Sequence, residues 1–179
     1  MSKTQSGFTL IELMIVVVVI VVLVAMGLPS FQGMMRSSRI ATQTNNFIGG
    51  VNLARGEAIR NNAPSGICAA SGLPLATATC GTNWNNGWIV FDDVDNSGTF
   101  TPGDVIIRRF SASTDLGIAT NPAGGPGTLI FNPRGMYNGP AQVAFHQAPN
   151  SCPSGMAEGV RDFTLLTVGQ LLINKTNCP

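Results

Sequence analysis

The longest apolar stretch of the chain lies near its amino terminus. From Phe8 to Leu28 the only charged side chain is Glu12. A helix of this length is about 30 Å long, which matches the hydrocarbon thickness of a bilayer. The pattern therefore predicts a transmembrane helix. It also makes Glu12 unusual, because a carboxylate inside hydrocarbon costs roughly 2.5–3.5 kcal/mol.

A secretory signal peptide is the alternative interpretation of this segment. Lys3 would belong to its basic region, and Ala25, Met26 and Gly27 resemble a cleavage site of small residues. However, the apolar core of a signal peptide usually has roughly 7–15 residues and has no reason to bury an acid. A helical pattern also continues beyond Gly27, so the sequence favours a helix that is retained.

The segment after Pro29 predicts an amphipathic continuation of this helix. Its apolar residues recur at helical spacing: Ile40, Phe47, Val51, Ala54 and Ala58. The helix should end near Asn62, because Pro64 disfavours helical geometry at the residue before it.

Beyond Pro64 the pattern changes to short apolar runs separated by Gly, Pro, Asn and Ser, which is typical of an antiparallel sheet. We expect strands at 66–70, 87–93, 104–111, 127–132, 141–146, 162–168 and 170–175. The loop-like stretch 120–127 should connect two groups of strands. The fold class is therefore α+β, with the apolar stripe of the long helix packed on one face of the sheet.

Composition and charge exclude some classes of function. The 179 residues carry a net charge of +1, 11% are charged, and the mean hydropathy is +0.24. This balance does not indicate a nucleic-acid-binding protein. It fits one domain plus a membrane segment.

The four cysteines all follow the apolar segment and lack the C-x-x-C spacing of a zinc site: Cys68, Cys80, Cys152 and Cys178. Their even number favours an oxidising compartment for this part of the chain. Four cysteines allow three connectivities. We expect Cys68 to pair with Cys80 and Cys152 with Cys178, because each bridge closes a local loop beside predicted neighbouring strands. Each bridge should contribute about 2–4 kcal/mol to stability.

The stretch "GFTLIELMIVV", residues 7–17, resembles the class III signal of type IV pilins and type II secretion pseudopilins. In that signal a short leader ends in Gly, Phe follows, and Glu is the fifth residue of the processed chain. The resemblance implies that a prepilin peptidase cuts between Gly7 and Phe8 and methylates the new amine of Phe8. It further implies that Glu12 attracts the amino terminus of a neighbouring subunit during fibre assembly. Glu12 could alternatively pair with Phe8 of its own chain, one helical turn earlier, and the two pairings are not exclusive before and after assembly.

The body resembles the GspH/FimU/FimT group of minor pilins and pseudopilins. The resemblance is carried by "GWIVFDDVDNSGTFTPGDVIIRR" at 87–109, "FNPRG" at 131–135 and "FTLLTVGQLLINK" at 163–175. It implies a type IV pilin-like fold with four parts: leader 1–7, transmembrane and polymerisation helix 8–29, amphipathic helix 30–62 and strand-rich body 63–179.

The function implied is that of a minor pilin that primes a type IV pilus and is incorporated into it. Its partners would be the prepilin peptidase, the major and other minor pilins, the inner-membrane assembly platform and the membrane. It would lie in the bacterial inner membrane with its body in the periplasm, and then in the pilus at the cell surface. The alternatives are an H-type pseudopilin of a type II secretion system and a FimT-like minor pilin that binds DNA.

The sequence gives little support to an enzyme. His146 is the only histidine, it lies in a predicted strand, and no acid is near it in sequence. The chain has no nucleophile elbow, Walker loop or dinucleotide-binding glycine pattern. We therefore expect no catalytic residues and no cofactor.

DNA binding is possible but not favoured. FimT-like members carry roughly Gly-Arg-x-Arg near the carboxyl terminus, whereas this chain has "GQLL" at 169–172. Other cations are scattered along the body: Arg108, Arg109, Arg134, Arg161 and Lys175. Scattered cations usually belong to a solvated surface.

The segment from Asp93 to Asp104 has the oxygen-donor spacing of a calcium loop. Asp93, Asp95 and Ser97 stand at positions 1, 3 and 5, Gly98 at position 6 and Asp104 at position 12. However, the segment joins two predicted strands instead of two helices, and Asp replaces the bidentate Glu. We therefore expect an ordinary hairpin and no metal site.

Overall fold

The computed structural model describes residues 9–121 and 123–179. One long helix, α1 (Leu10–Asn61), has 52 residues, and it ends within one residue of the predicted end. The chain divides into two compact units, the first ending at Ser38 and the second comprising Arg39–Pro179. We call the second unit the body.

In the described part of the chain, the body contains nine strands: β1 (Ser65–Ala70), β2 (Cys80–Gly81), β3 (Trp88–Asp92), β4 (Val105–Phe110), β5 (Leu116–Asn121), β6 (Thr128–Phe131), β7 (Val143–Pro149), β8 (Val160–Leu165) and β9 (Leu171–Thr176). A short 3-10 turn, Trp84–Asn86, precedes β3. Sheet 1 has the order β2-β1-β3-β4, with β6 also paired to β1, and sheet 2 has the order β5-β7-β8-β9. All the strand pairs are antiparallel.

The fold is α+β as expected, but the expectation of one sheet was wrong. The described chain forms two sheets, and sheet 2 includes a strand, β5, that was not predicted. Residues 116, 118 and 120 of β5 are buried in strict alternation, but Gly and Ala stand between them and weaken the apolar signal. The stretch 120–127, predicted to be a loop between two groups of strands, instead begins with the last two residues of β5, and the strand after it, β6, pairs with β1 of the earlier group.

The apolar stripe of α1 forms one side of the main core. All five of its predicted residues are buried: Ile40, Phe47, Val51, Ala54 and Ala58. The ring of Phe47 lies 5.0–5.8 Å from four other aromatic rings, those of Trp84, Trp88, Phe145 and Phe163. Because these rings come from both sheets and from the 3-10 turn, Phe47 joins the helix to both sheets.

A second, smaller core lies on the opposite face of sheet 1. Alternate residues of β1 and β3 face away from the helix, including Cys68 and Phe91, and both are fully buried. The ring of Phe100 packs edge-on against that of Phe91, with the ring centres 5.3 Å apart. The loop from Asp93 to Asp104 is therefore anchored to the body by its own aromatic residue.

Candidate functional site

The helical segment near the amino terminus begins with a side-chain cap. Gly7 and Phe8, the expected processing site, lie outside the described residues. The Oγ1 atom of Thr9 accepts a hydrogen bond from the backbone N–H of Glu12 at 3.3 Å. The sequence Thr9-x-x-Glu12 is the capping-box pattern of a helix start, a local signal that the apolar pattern does not contain. An acid in the first turn of a helix is also favoured by the helix dipole.

The side chains that follow the cap are exposed. From Leu10 to Val24 the large apolar residues are 48–79% exposed, and they lie on every side of the helix. A helix that is apolar on all sides is normally covered by a protein core, by other helices or by lipid. Among the described residues, no helix is both long and apolar enough to cross a membrane.

Three carboxylates of the loop between β3 and β4 lie close together. Asp93, Asp95 and Asp104 each place an oxygen within 4.8 Å of the others. Asp93 is almost completely buried, with 1% of its surface exposed. These residues of the described chain could hold a cation, so the spacing seen in the sequence does correspond to a cluster in space.

The oxygens of this cluster already accept hydrogen bonds from the loop itself. Asp93 accepts from the backbone N–H groups of Ser97 and Gly98, both at 2.9 Å. Asp104 accepts from the N–H groups of Val94, at 2.9 Å, and Thr101, at 2.6 Å. The loop therefore closes through its own contacts, as Asx turns in hairpins do.

The pKa values of two of these acids are shifted in opposite directions. Burial raises the pKa of Asp93 above its ordinary value, and this effect exceeds the opposing hydrogen bonds from Gly98 and Ser97. The hydrogen bond from the Ser97 side chain is the largest of the effects that lower the pKa of Asp95. The two carboxylates are therefore not equivalent, although they are two residues apart.

Both disulfides have the connectivity expected from the sequence. Cys68 pairs with Cys80 and Cys152 with Cys178, each with a Cα–Cα distance of 5.5 Å. The first bridge ties the loop 71–79 to β1, on the side of the smaller core. The second bridge fixes the carboxyl-terminal segment after β9 to the loop before β8.

The cations considered for DNA binding do not form one surface. The Arg161 side chain is 9% exposed and donates to the carbonyl oxygens of Glu158 and Val160. Lys175 forms an ion pair with Glu158 at 3.1 Å. Arg108 and Arg109 lie on β4, whereas Arg134 follows β6 at the opposite side of sheet 1.

The histidine lies on the solvent side of sheet 2. His146 Nδ1 is 2.7 Å from a carboxylate oxygen of Asp162, its cross-strand neighbour on β8. Sequence reasoning missed this pair, because the two residues are 16 positions apart and are joined only by the register of β7 on β8. Their side chains are 47% and 38% exposed and sit on the open face of the sheet, so the pair is accessible to water.

Comparisons with known proteins agree with the resemblance in the sequence. Residues 43–161 match the family described as "Type II transport protein GspH", and residues 2–28 match the "Prokaryotic N-terminal methylation motif". No curated protein matches the chain.

Solved structures with a similar fold include two crystal forms of the type IV minor pilin FimU of Pseudomonas aeruginosa strain PAO1. Both superpose with a TM-score of 0.52 over 80% of this chain, at 18% and 19% identity, and cover 94% and 99% of the FimU chain. The minor pseudopilin EpsH of the Vibrio cholerae type 2 secretion system matches over 75% of this chain and 94% of its own, at 11% identity and a TM-score of 0.49.

Proposed function

Because the chain belongs to the GspH family of type II transport proteins, we propose that it is a minor pilin that primes a type IV pilus and is incorporated into it after cleavage by a prepilin peptidase. The observation that carries this proposal is the position of α1. The helix begins inside the match to the N-terminal methylation motif and ends inside the match to the GspH family. An apolar amino-terminal segment that matches this motif and a folded body are thus parts of one chain.

The proposed mechanism of assembly uses the first residues of the helix. Cleavage after Gly7 leaves Phe8 with a methylated, positively charged amine beside the positive end of the helix dipole. That amine and the carboxylate of Glu12 are opposite charges in a medium of low dielectric constant. Pairing the amine of one subunit with Glu12 of the next removes the cost of both unpaired charges, and it favours assembly and register together.

The exposed apolar side chains of residues 10–24 support this mechanism. Before assembly they would be covered by lipid, with residues 8–29 as a single membrane anchor and the body in the periplasm. In the fibre they would be covered by the same segment of neighbouring subunits. The proposed partners are the major pilin, other minor pilins, the inner-membrane assembly platform and the prepilin peptidase. We propose no catalytic role.

The second candidate is an H-type pseudopilin of a type II secretion system. It is favoured by the description of the matching family, which names type II transport. A pseudopilin of this kind would share the fold, the processing and the role of Glu12. The two candidates differ in the fibre that the protein joins.

The test is deletion of the gene in its own bacterium, with the wild-type gene returned as control. Surface fibres are sheared from the cells and blotted for the major pilin and for this chain, and secreted enzymes are assayed in the medium. We expect loss of surface pili, normal secretion, and the chain present in the sheared fraction of the complemented strain. Normal pili together with failed secretion would overturn the pilus assignment in favour of the pseudopilin.

A further inference from the structure

Two tight turns of the body meet beside the carboxyl end of α1. The first turn, 132–136, follows β6, and the second, 166–170, joins β8 to β9. The backbones of the two turns touch, because a Cβ atom on Gly169 would collide with the carbonyl oxygen of Gly135. Both glycines have positive φ angles, +73° for Gly135 and +79° for Gly169. Two segments that are distant in sequence therefore share one surface.

Contacts within the body fix the shape of this surface. In the first turn, Asn132 Oδ1 accepts hydrogen bonds from the N–H groups of Arg134 at 2.9 Å and Met136 at 3.1 Å. Arg55 of α1 donates through Nε to the carbonyl oxygen of Gly135 at 2.9 Å. The first turn is thus held both by its own side chain and by the helix.

Three exposed apolar side chains lie on this surface. Ile59 of α1 is 51% exposed, Met136 39% and Val168 54%. Ile59 contacts the first turn, since a Cβ atom on Gly135 would lie 2.6 Å from Ile59 Cδ1. We call the two turns, together with Arg55 and Ile59, the turn platform. Because turns are normally built from small and polar residues, a group of exposed apolar side chains here indicates an interaction surface.

The turn platform also carries two arginines that lack a carboxylate partner. Among the described residues, no carboxylate forms an ion pair with Arg55 or Arg134. Arg134 is exposed, and Arg55 is half-buried. Arg and Met are enriched in protein interfaces, and a guanidinium forms strong hydrogen bonds with a carboxylate. The turn platform is therefore complementary to an apolar segment that carries an aspartate or a glutamate.

A second copy of this chain does not offer such a segment. Each of the eight carboxylates of the body already accepts a hydrogen bond or forms an ion pair inside the body: Glu57, Asp92, Asp93, Asp95, Asp104, Asp115, Glu158 and Asp162. A second copy would have to break one of these contacts in order to dock. A contact between unlike chains also imposes no two-fold axis, so the helices of the two subunits can run parallel.

We propose that the turn platform is the docking surface for a different subunit of the same fibre, which places an apolar segment with one acidic residue against it. The inference rests on the proposed function, because it takes the partner to be another pilin-like chain. Arg134 pairs with the partner's carboxylate, and the apolar side chains pack against its apolar residues. DNA is a poorer fit, because DNA binding depends on several cations that face phosphates, and three apolar side chains would face them here.

The test is photo-crosslinking of the full-length chain in its own bacterium. A benzophenone amino acid replaces Met136 or Val168, the cells are irradiated, and the products are identified by mass spectrometry. Both positions should be joined to the same second protein, through a peptide that contains an acidic residue. The control position is Leu73, which is 78% exposed but lies outside the turn platform and should not give this product.

Charge reversal separates specific docking from chance contact. Arg134→Glu should reduce the yield of the product by about tenfold or more, because it places two like charges face to face. Arg109→Glu makes the same change at an exposed position of β4 and should leave the yield unchanged. A lysine in place of the partner's acidic residue should restore the product of Arg134→Glu. Retention of both native disulfides and of the melting temperature shows that each variant is folded.

The proposal is overturned if Leu73 gives the same product, if Arg134→Glu has no effect, or if no lysine in the partner restores the yield. A product with the mass of two copies of this chain, or one that a nuclease removes, would also overturn it. Sheared pili separate this inference from the proposed function. If the chain is present in pili but gives no cross-link at residues 136 and 168, the docking surface alone is refuted. If it is absent from pili but gives the charge-dependent cross-link to another pilin-like chain, the pilus assignment alone is refuted.

Discussion

At the scale of single residues, Glu12 combines two contributions that can be separated. Its backbone N–H donates to the Thr9 side chain and so completes the cap of α1. Its carboxylate is not needed for that bond, and it is the part that we propose to meet the amine of another subunit. Replacing the side chain therefore leaves the cap bond in place and removes the carboxylate.

The first prediction contrasts Gly7→Val with Glu12→Val. A side chain at Gly7 should crowd the approach of the peptidase to the backbone, so Gly7→Val should accumulate as the longer precursor in the inner membrane. Glu12→Val should be inserted and cleaved, because removal of the charge makes the helix more stable in lipid. It should nevertheless be lost from the fibre. Blots of membrane and sheared-pilus fractions measure both effects.

Two further variants are controls for this interpretation. Glu12→Gln keeps the size of the side chain but removes its charge, and it should behave as Glu12→Val does. Glu12→Asp keeps the charge and should recover part of the assembly. Wild-type amounts of Glu12→Val in the pilus would refute the pairing role.

The second prediction concerns calcium. Because Asp93 and Asp104 are already satisfied by backbone N–H groups of their loop, the body should melt at the same temperature in millimolar calcium and in chelator. A ligand of the native state raises the melting temperature by mass action. A rise of several degrees in calcium that Asp104→Asn abolished would instead establish a cation site.

The third prediction is the effect of pH through Asp93. Burial raises the pKa of Asp93 in the folded state, so between its ordinary value of 3.8 and that raised value the native protein binds more protons than the unfolded chain. Stability therefore falls as pH rises through this window. Asp93→Asn removes this pH dependence of stability. It also changes the free energy of unfolding by an amount that does not vary with pH. Urea unfolding at a series of pH values should show the variant gaining stability relative to the wild-type protein as pH rises through this window. A stability difference that stays constant with pH would contradict the prediction.

The residue scale also shows where sequence reasoning ends. The spacing of Asp93, Asp95 and Asp104 is local, so their proximity could be predicted. The contact of His146 with Asp162 depends on the register between two strands, which spacing along the chain does not determine. The cap at Thr9 was local and could have been found from the T-x-x-E pattern.

At the scale of elements, the fold depends on how one helix meets two sheets. Gly50 is part of this contact, because a Cβ atom there would lie 2.8 Å from Trp88 Nε1 and 2.9 Å from Ile67 Cδ1. The apolar stripe of α1 was predictable from its period. The division of the strands into two sheets was not, because it follows from long-range pairing that spacing along the chain does not determine. Strand β5 was missed because Gly117 and Ala119 stand between its buried positions.

The fourth prediction tests this packing. Phe47→Ala removes the ring that contacts four others, and a buried Phe→Ala change costs about 3–5 kcal/mol. The total stability of a domain is only about 5–15 kcal/mol. The variant body should therefore lose most or all of its free energy of unfolding. Ile59→Ala, on the same helix but 51% exposed, is the matched control and should change stability by less than about 0.5 kcal/mol. Equal losses in urea unfolding would contradict the assignment of the core.

At the scale of the whole molecule, all the buried apolar residues of the described chain lie within the body, from Ile40 to Cys178. Both disulfides lie there as well. The body thus contains the interactions that a domain requires to fold, whatever surrounds the first unit.

The fifth prediction follows from this distribution. A fragment of residues 39–179, exported to an oxidising compartment, should be soluble, form both disulfides and unfold cooperatively. A fragment of 48–179 lacks Ile40 and Phe47 and should be far less stable. Thermal unfolding of the two fragments gives the comparison, and an insoluble or non-cooperative longer fragment would show that the body depends on the first unit.

The aromatic cluster around Phe47 also determines what tryptophan fluorescence can measure in this molecule. The chain has two tryptophans, Trp84 and Trp88, and both rings are buried against Phe47. Selective excitation of indole therefore records the state of the core alone, and emission shifts to longer wavelength when water reaches these rings. The exposed apolar segment 10–24 contains no tryptophan and so contributes no tryptophan emission. Fluorescence can therefore follow unfolding of the body while the amino-terminal segment is in detergent, in lipid or in a fibre.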